Sequence, residues 1–120
     1  MTAGIEFEAE VAKARARSEG FGEFLRGRSL SAGVYVLRAG GSDARGPQTE
    51  EEIYYVVRGR ARFRHGDRDE PVAEGELLLV PAHEVHRFHS ITEEPVLLVV
   101  FAPPYRAPAD RPPTTERPAA

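Results

Sequence analysis

The sequence predicts a small all-β domain, a sandwich or closed barrel, with one short helix before it and a proline-rich tail after it. Three observations carry this. Short β-branched and aromatic runs recur at close, regular spacing between Leu30 and Phe101. Glycine-centred turns separate them, at Gly40-Gly41, Gly59, Gly66-Asp67 and Gly75-Glu76. Helical spacing of apolar residues is confined to the N-terminus.

Taken in order, residues 5–18 read as the helix. Phe7, Val11 and Ala14 recur at helical spacing among charged residues, and Gly20 and Gly22 end the run. The stripe is thin, so the helix is expected to pack on the outside of the domain. Val34 to Leu37 is the first clear strand and stops at the turn cluster Gly40-Gly41-Ser42-Asp43. Ile53 to Val57 is the next, punctuated by Gly59. Ala61-Arg62-Phe63-Arg64 alternates apolar and basic, as a half-buried strand does, and Gly66-Asp67 returns the chain into a partner at Arg68 to Val72. Leu77 to Val80 is apolar at every position, which predicts a strand covered on both sides. Pro81 must then stand at a strand end. Val85 to Ser90 alternates again, and Pro95 to Phe101 is apolar throughout but too short to favour a helix. Residues 1–22 are thus read as helix and linker, 23–102 as the barrel, and 103–120 as an extended, unpacked tail dense in proline.

Composition narrows the function. The chain has 120 residues, so one domain is expected. A formal net charge of −3, with arginines spread among acids, argues against nucleic acid or a charged membrane surface. There is no cysteine, which excludes disulfides and thiolate metal sites. No apolar run approaches the ~20 residues that span a bilayer, and the N-terminus lacks the order of a signal peptide. A cytoplasmic protein is the expectation.

Two blocks organise the barrel: Pro47-Gln48-Thr49-Glu50-Glu51-Glu52-Ile53-Tyr54-Tyr55-Val56-Val57-Arg58-Gly59, and Gly75-Glu76-Leu77-Leu78-Leu79-Val80-Pro81-Ala82-His83-Glu84-Val85-His86-Arg87-Phe88. In them the chain resembles the cupins, small jelly-roll barrels (double-stranded β-helices, RmlC-like), and most of all the small single-domain bacterial members. The cupin motifs are G-x5-H-x-H-x(3,4)-E-x6-G and G-x5-P-x-G-x2-H-x3-N. Glu52 to Gly59 and Gly75 to Pro81 keep their spacing, and His86 stands where the second motif has its histidine. Gly46-Pro47-Gln48 replaces the H-x-H, so both of those histidines are absent and Gln48 occupies the second position. His83 replaces the second-motif glycine and Ser90 the final asparagine.

The resemblance implies a metal held by three histidines and a glutamate; here only Glu52 and His86 carry over, with Gln48 beside them. That donor set is oxygen-rich and leans toward manganese or ferrous iron ahead of zinc or nickel. The alternative is a buried hydrogen-bond network of Gln48, Glu52 and His86 without metal. Strand alternation gives an independent reading. Gln48, Glu50, Glu52, Tyr54 and Val56 share one parity, and so do His86, Phe88 and Ser90. With Phe63, these outline a half-apolar interior with a few polar groups, the makeup of a small-molecule site. His86 and Glu52 are candidate acid–base residues, with Tyr54 as a donor to an enolate-like oxygen. Gln48, Val56, Phe63 and Phe88 are candidate ligand contacts. His65, His83 and His89 read as exposed turn or strand residues, and Arg45 as a solvated loop residue. Two functions remain open: an oxygenase, isomerase or cyclase with or without metal, and a non-catalytic binding module. The resemblance also implies a homodimer through an outer sheet face and exchanged N-terminal strands, for which Tyr55 and the 95–101 strand are candidates.

Overall fold

A computed structural model describes residues 4–41 and 48–106. One helix, α1 (Phe7–Arg15), precedes six strands: β1 (Phe21–Arg26), β2 (Ser31–Val36), β3 (Glu51–His65), β4 (Arg68–Ala73), β5 (Leu77–Val80) and β6 (His86–Ala102). All strand pairs are antiparallel, in the order β1-β2-β6-β3-β4 with β5 also on β3. The all-β barrel expected from the sequence is the fold.

The frame is the ribbon formed by β3 and β6, which pair from Glu51↔Ala102 to His65↔His86. Each was expected as two strands with a break; each is continuous but irregular in the middle. The register slips between Val56 and Arg62 on β3, opposite residues 89–97 of β6. Gly59 lies in this slip at φ +98, where a Cβ would sit 2.5 Å from both the Glu94 carbonyl oxygen and the Pro95 Cα. Only glycine fits there. Ser90 takes the corresponding position on β6 at φ +50.

This irregular stretch switches the parity of both strands. On β3 the inward positions are Glu52, Tyr54 and Val56 before Gly59, then Ala61 and Phe63 after it. On β6 they are His86 and Phe88 before Ser90, then Ile91, Leu97, Val99 and Phe101. The ribbon thereby bends into two wings. The N-terminal half of β3 joins β5, β6, β2 and β1; its C-terminal half joins β4 and the start of β6.

Tyr54, Phe63, Phe88, Leu97 and Phe101 are fully buried in the barrel core. Burying each such side chain stabilises by about 1.5–3 kcal/mol. A second cluster lies on the outside of the larger wing. There Val11 and Ala14 of α1 cover Val34, Val36 and Val96, flanked by Phe7 and Phe24. Glu6 caps α1 by accepting from the Ala9 amide at 3.2 Å. Two ion pairs fix the helix to the ribbon, Arg15–Glu94 at 2.6 Å and Arg58–Glu8 at 2.8 Å. The second holds the Glu8 carboxyl below the usual range by the hydrogen bond from Arg58.

Several expectations are corrected. The helix is shorter than 5–18, and β1 was not foreseen. β5 is not covered on both sides: Leu77 and Leu79 are 68% and 62% exposed, since among the described residues nothing packs over that part of the sheet. Residues 103–106 of the expected tail lie against the barrel. The Tyr105 ring packs on Phe21 and Phe101, its amide donates to Ser31 Oγ at 2.8 Å, and Arg26 donates to its carbonyl at 3.0 Å. The rest of the tail, the Ser42-Asp43 turn, Arg45 and Gly46-Pro47 lie outside the described residues.

Candidate functional site

The polar residues buried inside the barrel gather at one end. Gln48, Glu50, Glu52 and His86 are all buried to 4% exposure or less. Burying ionisable groups is costly unless they are paired, so such a gathering marks a place where something other than stability decides the residues. Glu52 sits opposite Val80 on β5 and Phe101 on β6, and alternation turns it and Tyr54 inward. Gln48 leads into the strand, and its carbonyl accepts from the His83 amide at 2.7 Å. That bond ties the β5–β6 loop to the approach of β3 and brings the two sequence blocks together.

His86 is the centre. Its Nδ1 lies 2.9 Å from the Glu84 carbonyl oxygen. A carbonyl can only accept, so Nδ1 carries the proton. In the neutral ring Nε2 is then the acceptor, and the Tyr54 hydroxyl donates to it at 3.3 Å. Glu52 Oε1 stands 3.5 Å from the same Nε2. At that distance the two form an ion pair only when the ring is also protonated at Nε2. Glu50 accepts from the Thr49 hydroxyl at 2.8 Å and from the Arg106 amide at 3.1 Å, so the start of the C-terminal segment reaches the same end of the barrel.

Behind this group the interior is apolar and filled. The rings of Phe63 and Phe88 lie 4.6 Å apart, those of Tyr54 and Phe88 5.1 Å, and that of His86 is 5.9 Å from Phe63. The structure therefore brings together Glu52, Tyr54, Phe63, His86 and Phe88, with Val56 in the same core and Gln48 buried at the approach to β3. Ser90 does not join them. It is exposed, because the bulge at Ser90 reverses the alternation that predicted it inward. A cavity of ≈ 580 Å³ opens elsewhere, beside the register slips, lined by Arg60, Ala61, Arg62, Val72, Ser90 and Thr92 among others, and Glu52, Tyr54, His86 and Phe88 do not border it.

None of the other histidines is fully buried, and His65, expected at an exposed hairpin tip, is half-buried. His83 is exposed in the turn after Pro81, at φ +67. His65 donates to Glu70 at 2.9 Å and stacks on Phe63. His89 is half-buried rather than solvated. It donates from Nε2 to Asp69 at 2.9 Å and accepts from the Ser90 hydroxyl at 3.0 Å. Arg62 and Arg64 also hold Asp69. The His89 hydrogen bond, then that of Arg62, keep the Asp69 carboxyl below its ordinary range.

The donor set can be tested against a metal. His86 Nε2 and Glu52 are donors that a divalent ion takes, and the Nδ1 bond to Glu84 orients the ring as ligand histidines are oriented. Yet no group of three histidine, cysteine, aspartate or glutamate side chains is placed to hold an ion among the described residues. Gln48 adds only a neutral amide. Resident catalytic ions commonly take three protein ligands, so this set falls short.

With the geometry in place, the chain can be set beside known proteins. Residues 33–102 match the family described as Cupin domain. An uncharacterized protein of Streptomyces coelicolor, SCO3923, is 44% identical over 100 residues, covering 82% of this chain and 91% of its own. The crystal structure of TT1209 from Thermus thermophilus aligns with a TM-score of 0.67 at 21% identity, covering 83% of this chain and 96% of that one. An RmlC-like cupin family protein with a double-stranded β-helix fold, from Methanocaldococcus jannaschii, aligns with a TM-score of 0.63 at 16% identity, covering 69% and 78%. At such identities the two structures speak for the fold alone.

Proposed function

The chain belongs to the cupin family, and on that premise we propose that the polar end of its barrel is a small-molecule site in which His86, Glu52 and Tyr54 hold and move a proton. The observation that carries this is the fixed tautomer of His86. With Nδ1 bound to the Glu84 carbonyl, Nε2 is aimed at Tyr54 and Glu52 inside a buried wall. A ligand with a carbonyl beside an acidic C–H suits this set. Tyr54 donates to the carbonyl oxygen as it gains charge, and the His86–Glu52 pair takes the proton from carbon and returns it at a second position. One proton leaves and one comes back, so isomerisation or ring closure needs no oxidant. Gln48 would orient the polar end of the ligand, against an apolar floor of Val56, Phe63 and Phe88.

A second reading, binding without turnover, draws on the rings of Tyr54, Phe63 and Phe88, which pack on one another as a rigid floor. Native mass spectrometry of untagged protein, followed by extraction, tests both. A ligand retained by the wild type and lost in folded His86→Ala is the expected result; undiminished retention in that variant rules out the inner site. Incubating the recovered ligand with fresh protein then separates turnover from binding. Manganese or iron would rest on Glu52, His86 and Gln48. The Gln48→His variant supplies the missing imidazole and is expected to raise divalent-metal affinity by calorimetry; an unchanged affinity sinks that placement of Gln48. Stoichiometric metal in the untagged wild type would make Gln48 a ligand and replace the metal-free scheme.

A further inference from the structure

The smaller wing carries a second gathering of reactive groups, centred on the bulge where Ser90 takes φ +50. A side chain holds that backbone conformation at a cost, and such strain persists only where the surroundings enforce it. Ser90 is exposed there, and its hydroxyl meets the ring of its neighbour: His89 Nδ1 is 3.0 Å from Ser90 Oγ. The other ring nitrogen, Nε2, is 2.9 Å from Asp69 Oδ1. A carboxylate only accepts, so Nε2 carries the proton and Nδ1 of the neutral ring accepts from Ser90. Arg62 and Arg64 donate to the same carboxylate at 3.2 and 3.0 Å and hold it in place. Hydroxyl, imidazole and carboxylate in series are the parts of an activated nucleophile. The ring is reversed relative to the serine proteases, whose carboxylate holds Nδ1 and whose hydroxyl meets Nε2. Either nitrogen can take the proton.

Ser90 also stands in the wall of the ≈ 580 Å³ cavity, a volume within the range of small-molecule sites. Pro71 and Val72 give that wall an apolar side, Thr92 a second hydroxyl, and Arg60 and Arg62 two positive charges. Its acid, Glu76, is engaged by the Ala73 amide at 2.7 Å. Arg62 is engaged by Asp69, whereas Arg60 has only a long, exposed contact to Glu93 at 3.7 Å, which leaves its guanidinium open to a carboxylate. We propose that Ser90, His89 and Asp69 form a second, outward-facing site that hydrolyses small carboxylic esters, with Arg60 favouring esters that carry a carboxylate elsewhere in the molecule. Ser90 Oγ attacks the ester carbonyl and its proton passes to His89 Nδ1. The carbonyl oxygen gains charge in a wall where Thr92 can donate to it. The bond to the leaving oxygen breaks, and that oxygen takes the proton from Nδ1. Water then attacks the acyl group on Ser90, gives a proton to Nδ1, and Nδ1 returns it to Oγ as the acid departs. Asp69 acts through the ring, as a positioning residue. The side chains of His89 and Asp69 are 19% and 30% exposed, so the acceleration expected is modest, about 10²–10⁴ over buffer. No residue is shared with the His86 site, and the two assignments stand or fall separately.

Hydrolysis of phenyl acetate and of meta-acetoxybenzoate by the full untagged chain, followed by chromatography of the released phenol, tests it. Both esters are expected to be cleaved, the charged one with kcat/KM higher by about threefold, the size of an exposed ion pair. Acid-quenched protein is expected to carry an acetyl group on Ser90 by peptide mapping. Ser90→Ala is expected to fall about 100-fold or more, to the level of buffer. Asp69→Asn is expected to lower kcat at least about tenfold with KM held, because an amide no longer fixes the proton on Nε2. Arg60→Ala is expected to erase the preference for the charged ester. A wild type no faster than buffer overturns the proposal. So does hydrolysis undiminished in Ser90→Ala, or acetyl confined to other side chains, either of which would reduce the activity to that of any surface imidazole or amine. An unchanged kcat in Asp69→Asn strikes Asp69 from the site, and equal rates on the two esters strike Arg60. If Ser90→Ala fails to fold, Ser90→Gly decides, because glycine takes φ +50 freely.

Discussion

The two halves of β3 are built to opposite plans. From Ala61 to Arg64 the strand has apolar residues inside and arginines outside, as solvent dictates. From Glu51 to Tyr55 the order is inverted in part: Glu52 is buried to 1% beside the buried Tyr54, while Ile53 and Tyr55 are 44% and 37% exposed. One strand, one sheet and one bend at Gly59 hold both. A sequence that followed only the rules of folding would carry the first pattern throughout. The inversion puts an acid where it is costly and apolar surface where it gains nothing within one chain. Such departures gather at functional places, and the buried acid here points inward to His86.

The largest effect should come from the ordinary half. Phe63→Ala removes a ring packed on Phe88, Tyr54 and His65. It is expected to cost about 3–5 kcal/mol in chemical denaturation. The inverted half should respond differently. Glu52→Gln keeps size and hydrogen-bonding capacity but removes the carboxylate beside His86. It is expected to cost no more than about 1–2 kcal/mol while abolishing ligand retention or turnover. A loss as large as that of Phe63→Ala would mean that Glu52 is structural, and the contrast between the halves would fail.

How much of this was legible beforehand follows from the same contrast. The barrel could be read because Gly59, Gly75 and Pro81 stand at set distances from Glu52 and His86. The inward row Glu52, Tyr54, Val56 could be read because alternation holds without interruption there. Ser90 could not be placed, since a bulge of unknown position cancels parity beyond it. The leucines of β5 were misread as doubly buried for a related reason. A continuous apolar run looks the same whether its second face is covered by its own chain, by a partner or by nothing. β1 was missed because Phe21 to Arg26 mixes two charges and a glycine with half-exposed aromatics.

A smaller effect is expected at His83. It occupies the second-motif glycine position and adopts φ +67, a conformation that glycine takes freely and histidine takes under strain. His83→Gly should therefore stabilise by about 0.5–1 kcal/mol in thermal or chemical unfolding, although glycine elsewhere destabilises. The same substitution tests whether the loop tied to Gln48 is tuned or merely tolerated. If stability rises while ligand retention holds, His83 has no part in the site.

The smallest effect lies on the arginine face of the ordinary half and is best seen against pH. Asp69 has its carboxyl held below the usual range, first by the hydrogen bond from His89 and then by Arg62. A carboxylate with a depressed folded-state pKa contributes stability that is fully present above its unfolded value, about 3.9, and is lost as pH falls through the folded value. The wild type should thus be favoured over Asp69→Asn by a constant margin in melting temperature above about pH 5, and the margin should shrink in more acid solution. His89→Ala should reduce the same margin, because it removes the first of the two donors. A margin that grows on acidification would show that the outward charges of this half oppose the fold, and that its regular pattern owes its stability to Ala61 and Phe63 alone.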